Sequence, residues 1–303
     1  MIIIAVVSLM VILVSFALQT AGSALYQEQY FNKIYSYQQA YYVSKSVYEA
    51  LPVIFLNDDE KSDNLSEIWA SVIPSFTIGN AGVEVVITDE NRKFNLNSLE
   101  ESLNNNAVQP VTVFRRILKT SGCDPDIVNT ALDWIDKDSQ ARAPGGREEQ
   151  YTESVYAKNS SFDSIEELLC FPGISNGNFS SKNTNGKTRS GLEDMCTVYG
   201  NKKININTAS VDVLQALDDA IDPQIAGEII SKRKEKPFKD INDLLEINKI
   251  DLNLIYRINS ICSVTSDVYK IWIKVNIEGE SFSFVYIAKR TKNVLQLICF
   301  FNE

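Results

Sequence analysis

Five carboxylates crowd one stretch of this chain. In "DKDSQARAPGGREEQYTESVYAKNSSF", Asp136, Asp138, Glu148, Glu149 and Glu153 flank a Pro144-Gly145-Gly146 turn. Carboxylate oxygens gathered on a folded loop suit a hard cation such as calcium, which takes six to eight oxygen ligands. The Asp-x-Asp start fits an EF-hand loop, but Ala141 and Arg147 stand where that loop needs its glycine and its terminal glutamate. The EF-hand pattern therefore fails. Composition alone leaves two readings open, a calcium site and a solvated acidic loop.

Other chemistry is poorly provided for. The 303 residues contain no histidine, which removes the commonest general base and the commonest metal imidazole. The five cysteines form no CxxC pair, so zinc and thioredoxin-like sites have no basis. Paired carboxylates exist without a nucleophile–base set, and we expect no enzyme. Cys170 and Cys196 bracket a Gly/Asn/Ser-rich stretch; a disulfide between them would suit an oxidising compartment, and sequence does not decide it. A net charge of −10 argues against nonspecific binding to nucleic acid or anionic lipid.

The elements that carry the acidic stretch repeat. "FNLNS" at 94–98 matches "ININT" at 204–208, "CDPDIVNTALDWI" matches "IDPQIAGEIISKR", and "FDSIEELLCFPGI" matches "FKDINDLLEINKI". Three landmarks in one order indicate two copies of a small helical unit, over about 94–178 and 204–262. Ser98 and Thr208 are the expected helix N-caps. The acidic stretch is an insertion between the two halves of the first copy. The second copy looks like the helix-hairpin-helix modules of DNA-uptake receptors, which hold a phosphate on backbone N–H groups of a glycine-rich hairpin. Here the hairpin is "LDDAIDP", without glycine and with Asp218, Asp219 and Asp222. The basic run Lys232, Arg233, Lys234, Lys236 and Lys239 reads as a solvated helix face. DNA binding by a membrane-tethered uptake protein is the alternative function, and the acids disfavour it.

On either side of the repeats the pattern changes. From Met1 to Leu18 only Ser8 and Ser15 are polar. With its small-residue continuation to Ala24, the run can cross a bilayer core of about 30 Å. No basic start marks it as a secretory signal, so a retained membrane helix over 1–24 is expected. The stretch 25–51 lacks Gly and Pro, and Tyr26, Tyr30, Ile34, Tyr37, Tyr41 and Tyr48 recur at helical spacing as a half-buried packing face. Residues 82–96 read as a strand pair and 267–302 as a three-strand meander of period two. The expected class is α+β, an antiparallel sheet split around a helical insert with the N-terminal rod on one face.

Together, "AGVEVVITDENRKFNLNSL", "FRRIL", "ALDWIDKDSQARAPGGREEQY", "SIEELL" and "KININTASVDVLQAL" make the chain similar to the minor pseudopilin K family of type II secretion systems. The resemblance implies a type IV pilin-like fold with a large inserted α-helical domain of two helix-hairpin-helix-like repeats. The expected division is 1–24 transmembrane helix, 25–96 stem and first strands, 97–264 helical insert, and 265–303 closing strands. It implies a structural role at the tip of the pseudopilus, initiating assembly and supporting protein export, with minor pseudopilins I and J as partners and the major pseudopilin below. It implies a single inner-membrane span with the remainder in the periplasm, and a basic leader removed by a prepilin peptidase. Pilins of this type carry a glutamate near the fifth mature position; Ala5 stands there if Met1 is the mature start, which fits a subunit with nothing above it. The family's structural calcium maps onto Asp136, Asp138 and Glu148, with Glu149 and Glu153 beside them; Gln150 takes a place often acidic in the family.

Overall fold

A computed structural model describes residues 2–56, 61–101, 103–104, 106–146, 156–184, 187–292 and 294–302. The helix α1 (Ile2–Ala50) runs unbroken for 49 residues and gives way to a short 3-10 turn at Pro52, where proline removes a helical donor. Two strands follow, β1 (Phe76–Ile78) and β2 (Ala81–Asp89). The chain then leaves the sheet. A first helical segment holds β3 (Phe94–Asn95), α2 (Pro110–Thr120), α3 (Ile127–Ile135), α4 (Asn176–Phe179), β4 (Lys182–Thr184), β5 (Lys187–Arg189), α5 (Leu192–Met195) and β6 (Cys196–Thr197). A second holds β7 (Ile204–Asn205), α6 (Val211–Leu217), α7 (Pro223–Glu235), α8 (Leu252–Ile258) and β8 (Cys262–Ser263). The sheet is completed by β9 (Val268–Ile277), β10 (Glu280–Thr291) and β11 (Val294–Asn302).

The five-stranded sheet has the order β1-β2-β9-β10-β11 and is antiparallel throughout. Its central strand alternates: Tyr269, Ile271, Ile273, Val275 and Ile277 are buried under α1, while Lys270, Trp272 and Lys274 face the other side. Only the second half of α1 packs. Its buried seam is Ser36, Ala40, Ser44, Val47, Tyr48 and, past the helix end, Leu51 and Phe55. The tyrosine stripe is thus not one packing face: Tyr26 and Tyr30 are exposed, and small residues bring the helix close to the sheet. Tyr48 stacks on Tyr286 at 4.6 Å, and Ser44 Oγ lies 2.8 Å from the Tyr286 hydroxyl. Residues 82–96 do not pair with one another. A single strand, β2, ends in a 3-10 turn at Glu90–Arg92, and β3 pairs elsewhere.

The insert has its own core, running from Phe94 to Cys262 and separate from the one under α1. Each copy is closed by a two-residue parallel bridge, β3 with β6 and β7 with β8. The β3–β6 bridge carries the closed unit of the first copy on to Thr197, so α5 and the β4–β5 hairpin follow the 94–178 span before the unit closes. Neither Ser98 nor Thr208 caps a helix. Asn95 and Asn205 take the chain turn, each accepting from the backbone N–H two residues on at 2.9 Å. Two residues further, Asn97 and Asn207 each clamp a phenylalanine backbone on both sides: Phe162 N–H and C=O at 2.7 and 3.0 Å, Phe238 at 3.0 and 2.8 Å. The N-cap of α6 is Ser210. All five cysteines are unpaired, including Cys170 and Cys196. Cys196 is committed to the β3–β6 bridge and faces the core, and burial pushes its thiol far above the ordinary range.

The insert leaves and rejoins the sheet where Asp89 on β2 lies opposite Tyr269 on β9. At that end, Tyr269 packs on Phe55, just beyond α1. At the opposite end of β9, Ser36 reaches Glu278 in the β9–β10 turn. The insert thus sits at the end of the sheet away from the apolar half of α1.

Candidate functional site

The acidic loop begins where α3 ends. Asp136 is the last residue of that helix turn, its N–H bonded to Leu132 O at 3.0 Å. The D-W-I-D spacing puts Asp133 one turn back on the same face, and Asp133 is fully buried. Arg142 closes both: it donates from Nη1 to Asp133 Oδ1 at 2.7 Å and to Asp136 Oδ2, and its backbone N–H reaches Asp133 Oδ2 at 3.0 Å. Burial lowers the Arg142 pKa, and the two carboxylates outweigh it, so the net direction is upward. Two side chains of α3 strap the turn down: Asn129 Nδ2 donates to Pro144 O at 2.7 Å, and Thr130 Oγ1 to Gly145 O at 2.9 Å. Gly145 has φ +82°, and a side chain on Gly146 would run into Asp133 Oδ2 and the Arg142 carbonyl. Both glycines are therefore required by position.

Of the expected calcium ligands, Asp136 and Asp138 are described, while Glu148, Glu149 and Glu153 lie outside the described residues. Asp138 is exposed and accepts from Gln140 N–H at 2.8 Å. Asp136 Oδ1 is buried and has no hydrogen-bond partner among the described residues. A buried carboxylate oxygen without a donor suits a hard cation, and it opens onto a cleft of about 310 Å³ that Glu100 also lines. Among the described residues no three acids or thiols converge closely enough to hold a metal alone. Asp133 was missed in the sequence, although its spacing to Asp136 was the available signal.

The hairpin of the second copy is fully committed to its own fold. Asp218 takes a two-pronged bond from Arg257 at 2.8 and 2.9 Å, Asp219 pairs with Arg116 at 2.8 Å, and Asp222 caps α7 by accepting from Ile225 N–H at 2.8 Å. Burial raises the Asp218 pKa and the Arg257 guanidinium outweighs it, leaving the carboxyl below its usual range. Arg233 is not on a solvated face. It is buried, donating to the Ile206 and Ala209 carbonyls at 2.7 and 2.8 Å, and burial lowers its pKa to about 10.

A third polar cluster joins the insert to the sheet. Asp63 Oδ1 accepts from Arg290 and from the Tyr269 hydroxyl, each at 2.7 Å. Asp89 Oδ2 accepts from Ser266 at 2.6 Å and from Thr208 at 2.5 Å, and Asp89 Oδ1 from Asn91 N–H at 2.7 Å. Asn205 bridges the two acids' surroundings, donating to Asp63 O and Ser266 Oγ. Burial pushes Asp89 up to about 7 despite those donors, with the Asp63 charge adding to the rise.

A long helix with an exposed apolar first half, lying over an antiparallel sheet, defines a pilin-like protein, here enlarged by a duplicated helical insert. The chain matches one chain of the crystal structure of the GspK-GspI-GspJ complex from the enterotoxigenic Escherichia coli type 2 secretion system. That match has a TM-score of 0.74 at 20% identity, covering 88% of this chain and 97% of that one. Two family profiles, both described as type II secretion system (T2SS), protein K, match residues 92–180 and 204–253, one on each copy of the repeat. A type II secretion system protein K from Klebsiella pneumoniae is 24% identical over 127 residues; the match spans 39% of each protein. Over both copies of the repeat the chain is similar to protein K of type II secretion systems.

Proposed function

We propose that this protein is the minor pseudopilin that caps the type II secretion pseudopilus, initiating its assembly in company with minor pseudopilins I and J and above the major pseudopilin. The observation that carries this reading is the placement of the insert at the sheet end farthest from the apolar half of α1. Among the described residues one helix is long and apolar enough to cross a membrane; anchored there, after maturation by a prepilin peptidase, the chain would hold the insert outermost in the periplasm. A bulky domain at that end leaves no room for a further subunit above it. The role is structural. Co-expression of the full chain with the I and J proteins of its own cell tests it: a ternary complex extracted by detergent is expected, and three separately migrating proteins would overturn it.

In this reading the acidic loop holds one or more calcium ions for structural reasons, through Asp136 and Asp138 with Glu148, Glu149 and Glu153. The bound ion would supply positive charge against which the loop folds. The orphaned Asp136 oxygen supports this. Calcium that binds only the folded form stabilises it by about 2.7 kcal/mol at a hundredfold excess over Kd. Chelator should lower the melting temperature and expose residues 136–155 to protease. Asp136→Ala with Asp138→Ala should remove the calcium dependence, and magnesium should substitute poorly. Melting and protease resistance indifferent to chelator would leave the loop a solvated acidic surface.

The alternative of phosphate-backbone binding by the second copy has the opposite charge at its hairpin, and all three acids there are engaged within the fold.

A further inference from the structure

The sheet face away from α1 carries an apolar band. Strand register places Val86, Trp272, Val285 and Phe301 side by side across β2, β9, β10 and β11. Val285 is fully buried beneath its neighbours, whereas Val86 is 52% exposed and Phe301 38%. The band runs into a cleft of about 610 Å³ between the sheet and the first copy of the repeat. Its apolar wall is Ile287, Cys299 and Phe301 from the sheet with Val198 and Tyr199 from the insert.

The opposite wall is acidic. Glu90 and Asp163 are each neutralised by a lysine, Lys93 at 3.3 Å and Lys158 at 2.8 Å. Glu166, Glu193 and Asp194 are not. The Glu166 carboxylate accepts only from the Ser164 hydroxyl, Asp194 accepts from Gly191 N–H and Ser181, and Glu193 has no partner among the described residues. Three carboxylates without an ion pair among the described residues therefore stand over a floor that is apolar except for Lys270 of β9. A strand edge lies alongside: β11 pairs only with β10, and Val294 and Ile298 on it are exposed. Such an edge accepts an extended segment.

We propose that this cleft and the adjoining edge of β11 dock an extended segment of another protein chain carrying an aromatic or aliphatic residue flanked by lysine or arginine. The apolar residue fills the space against Phe301, Ile287 and Tyr199, and the cations meet Glu166, Glu193 and Asp194. A neutral or acidic segment would bury the floor equally well but leave the three carboxylates unpaired or repelled. The choice of a basic occupant thus rests on charge, and it does not depend on which apparatus the protein serves.

The test uses the full chain in nonionic detergent micelles and two dye-labelled synthetic peptides, both with alternating phenylalanine. One carries lysine and a photo-crosslinking group, the other glutamate in place of lysine. The lysine peptide should bind and crosslink within 196–199 or 285–301, and the glutamate peptide should not. Glu166→Lys with Glu193→Lys should weaken binding about tenfold, as should about 0.5 M salt. Both glutamates lie in the first turn of a short helix, and Glu166 bonds the N-cap Ser164, so a small fall in the variant's melting temperature is expected, and a Glu193→Gln variant with a smaller loss of binding supplies a milder check. Equal binding of both peptides, crosslinks elsewhere, or undiminished binding to the charge-reversed protein would each overturn the proposal.

Discussion

Replacing Asp89 with asparagine should make the protein's stability less dependent on pH, in a direction fixed by burial. Asp89 is almost wholly buried, and its carboxyl is raised from an ordinary 3.8 to about 7. The folded state therefore holds this proton more tightly than the unfolded chain does. Between about pH 4 and pH 7 the folded form binds more protons, so its stability falls as pH rises. The contribution is complete below about pH 4 and lost above about pH 7. At about 1.4 kcal/mol per pH unit the whole effect is about 4 kcal/mol. About half of it, 2 kcal/mol, falls between pH 5.5 and 8.5, a range clear of the isoelectric point near 4.8. Asparagine removes the charge while keeping an acceptor for Asn91 N–H, and its amide displaces one acceptor from Ser266 and Thr208. Urea unfolding of the full chain and Asp89→Asn in micelles at a series of pH values gives the difference directly, the remaining acids cancelling. The parent should lose about 2 kcal/mol relative to the variant across that range. A difference that is flat, or that favours the parent as pH rises, would refute the reasoning.

Asn207→Ala should cost about 2–3 kcal/mol by urea denaturation, because it leaves a buried N–H and C=O of Phe238 unpaired; Asn97→Ala, at the partly exposed copy, should cost less. Gly146→Ala should lift the 142–146 turn from α3 at a cost of about 1–3 kcal/mol, read as faster tryptic cleavage after Arg142 while the rest of the insert stays resistant.

The parts of this fold legible in the sequence were those carried by periodicity. The meander declared itself because Tyr269, Ile271, Ile273 and Val275 alternate with polar residues along the strand. α1 did so because nothing between Leu25 and Pro52 can break a helix. The repeat was legible through apolar positions that both copies need for one shared core. What stayed hidden was decided by partners distant in sequence. Asn95, Ser98, Asn205 and Thr208 are all residues that cap or turn chains, and only the finished fold shows that the asparagines turn and Thr208 instead serves Asp89. Arg233 sits in a basic run like its neighbours, but the carbonyls it binds belong to residues 206 and 209. Bridges of two residues leave no pattern to read. At the acidic loop the acids were visible, and Arg142, which joins Asp133 to Asp136, was not, because its role depends on how the turn folds back on α3.

The junction explains how a sheet carries so large an insert. Neighbouring antiparallel strands such as β2 and β9 are ordinarily joined by a hairpin, so an insert there must begin and end within one strand spacing. Each copy meets that requirement separately: the parallel bridges β3–β6 and β7–β8 bring each copy's last residues back beside its first. Two such closed units in series return the chain to Tyr269, opposite Asp89, and leave the strand register undisturbed. The two large hydrophobic cores do not merge, and only a small cluster, Val268, Val285 and Ile287 with Tyr199 of the insert, makes apolar contact between insert and sheet. Hydrogen bonds are directional, and those from Thr208 and Asn205 on the insert to Asp89 and Asp63 on the stem admit only one orientation. Burying the Asp89 carboxyl costs stability as it ionises; in return the angle between the two bodies is set by hydrogen-bond geometry.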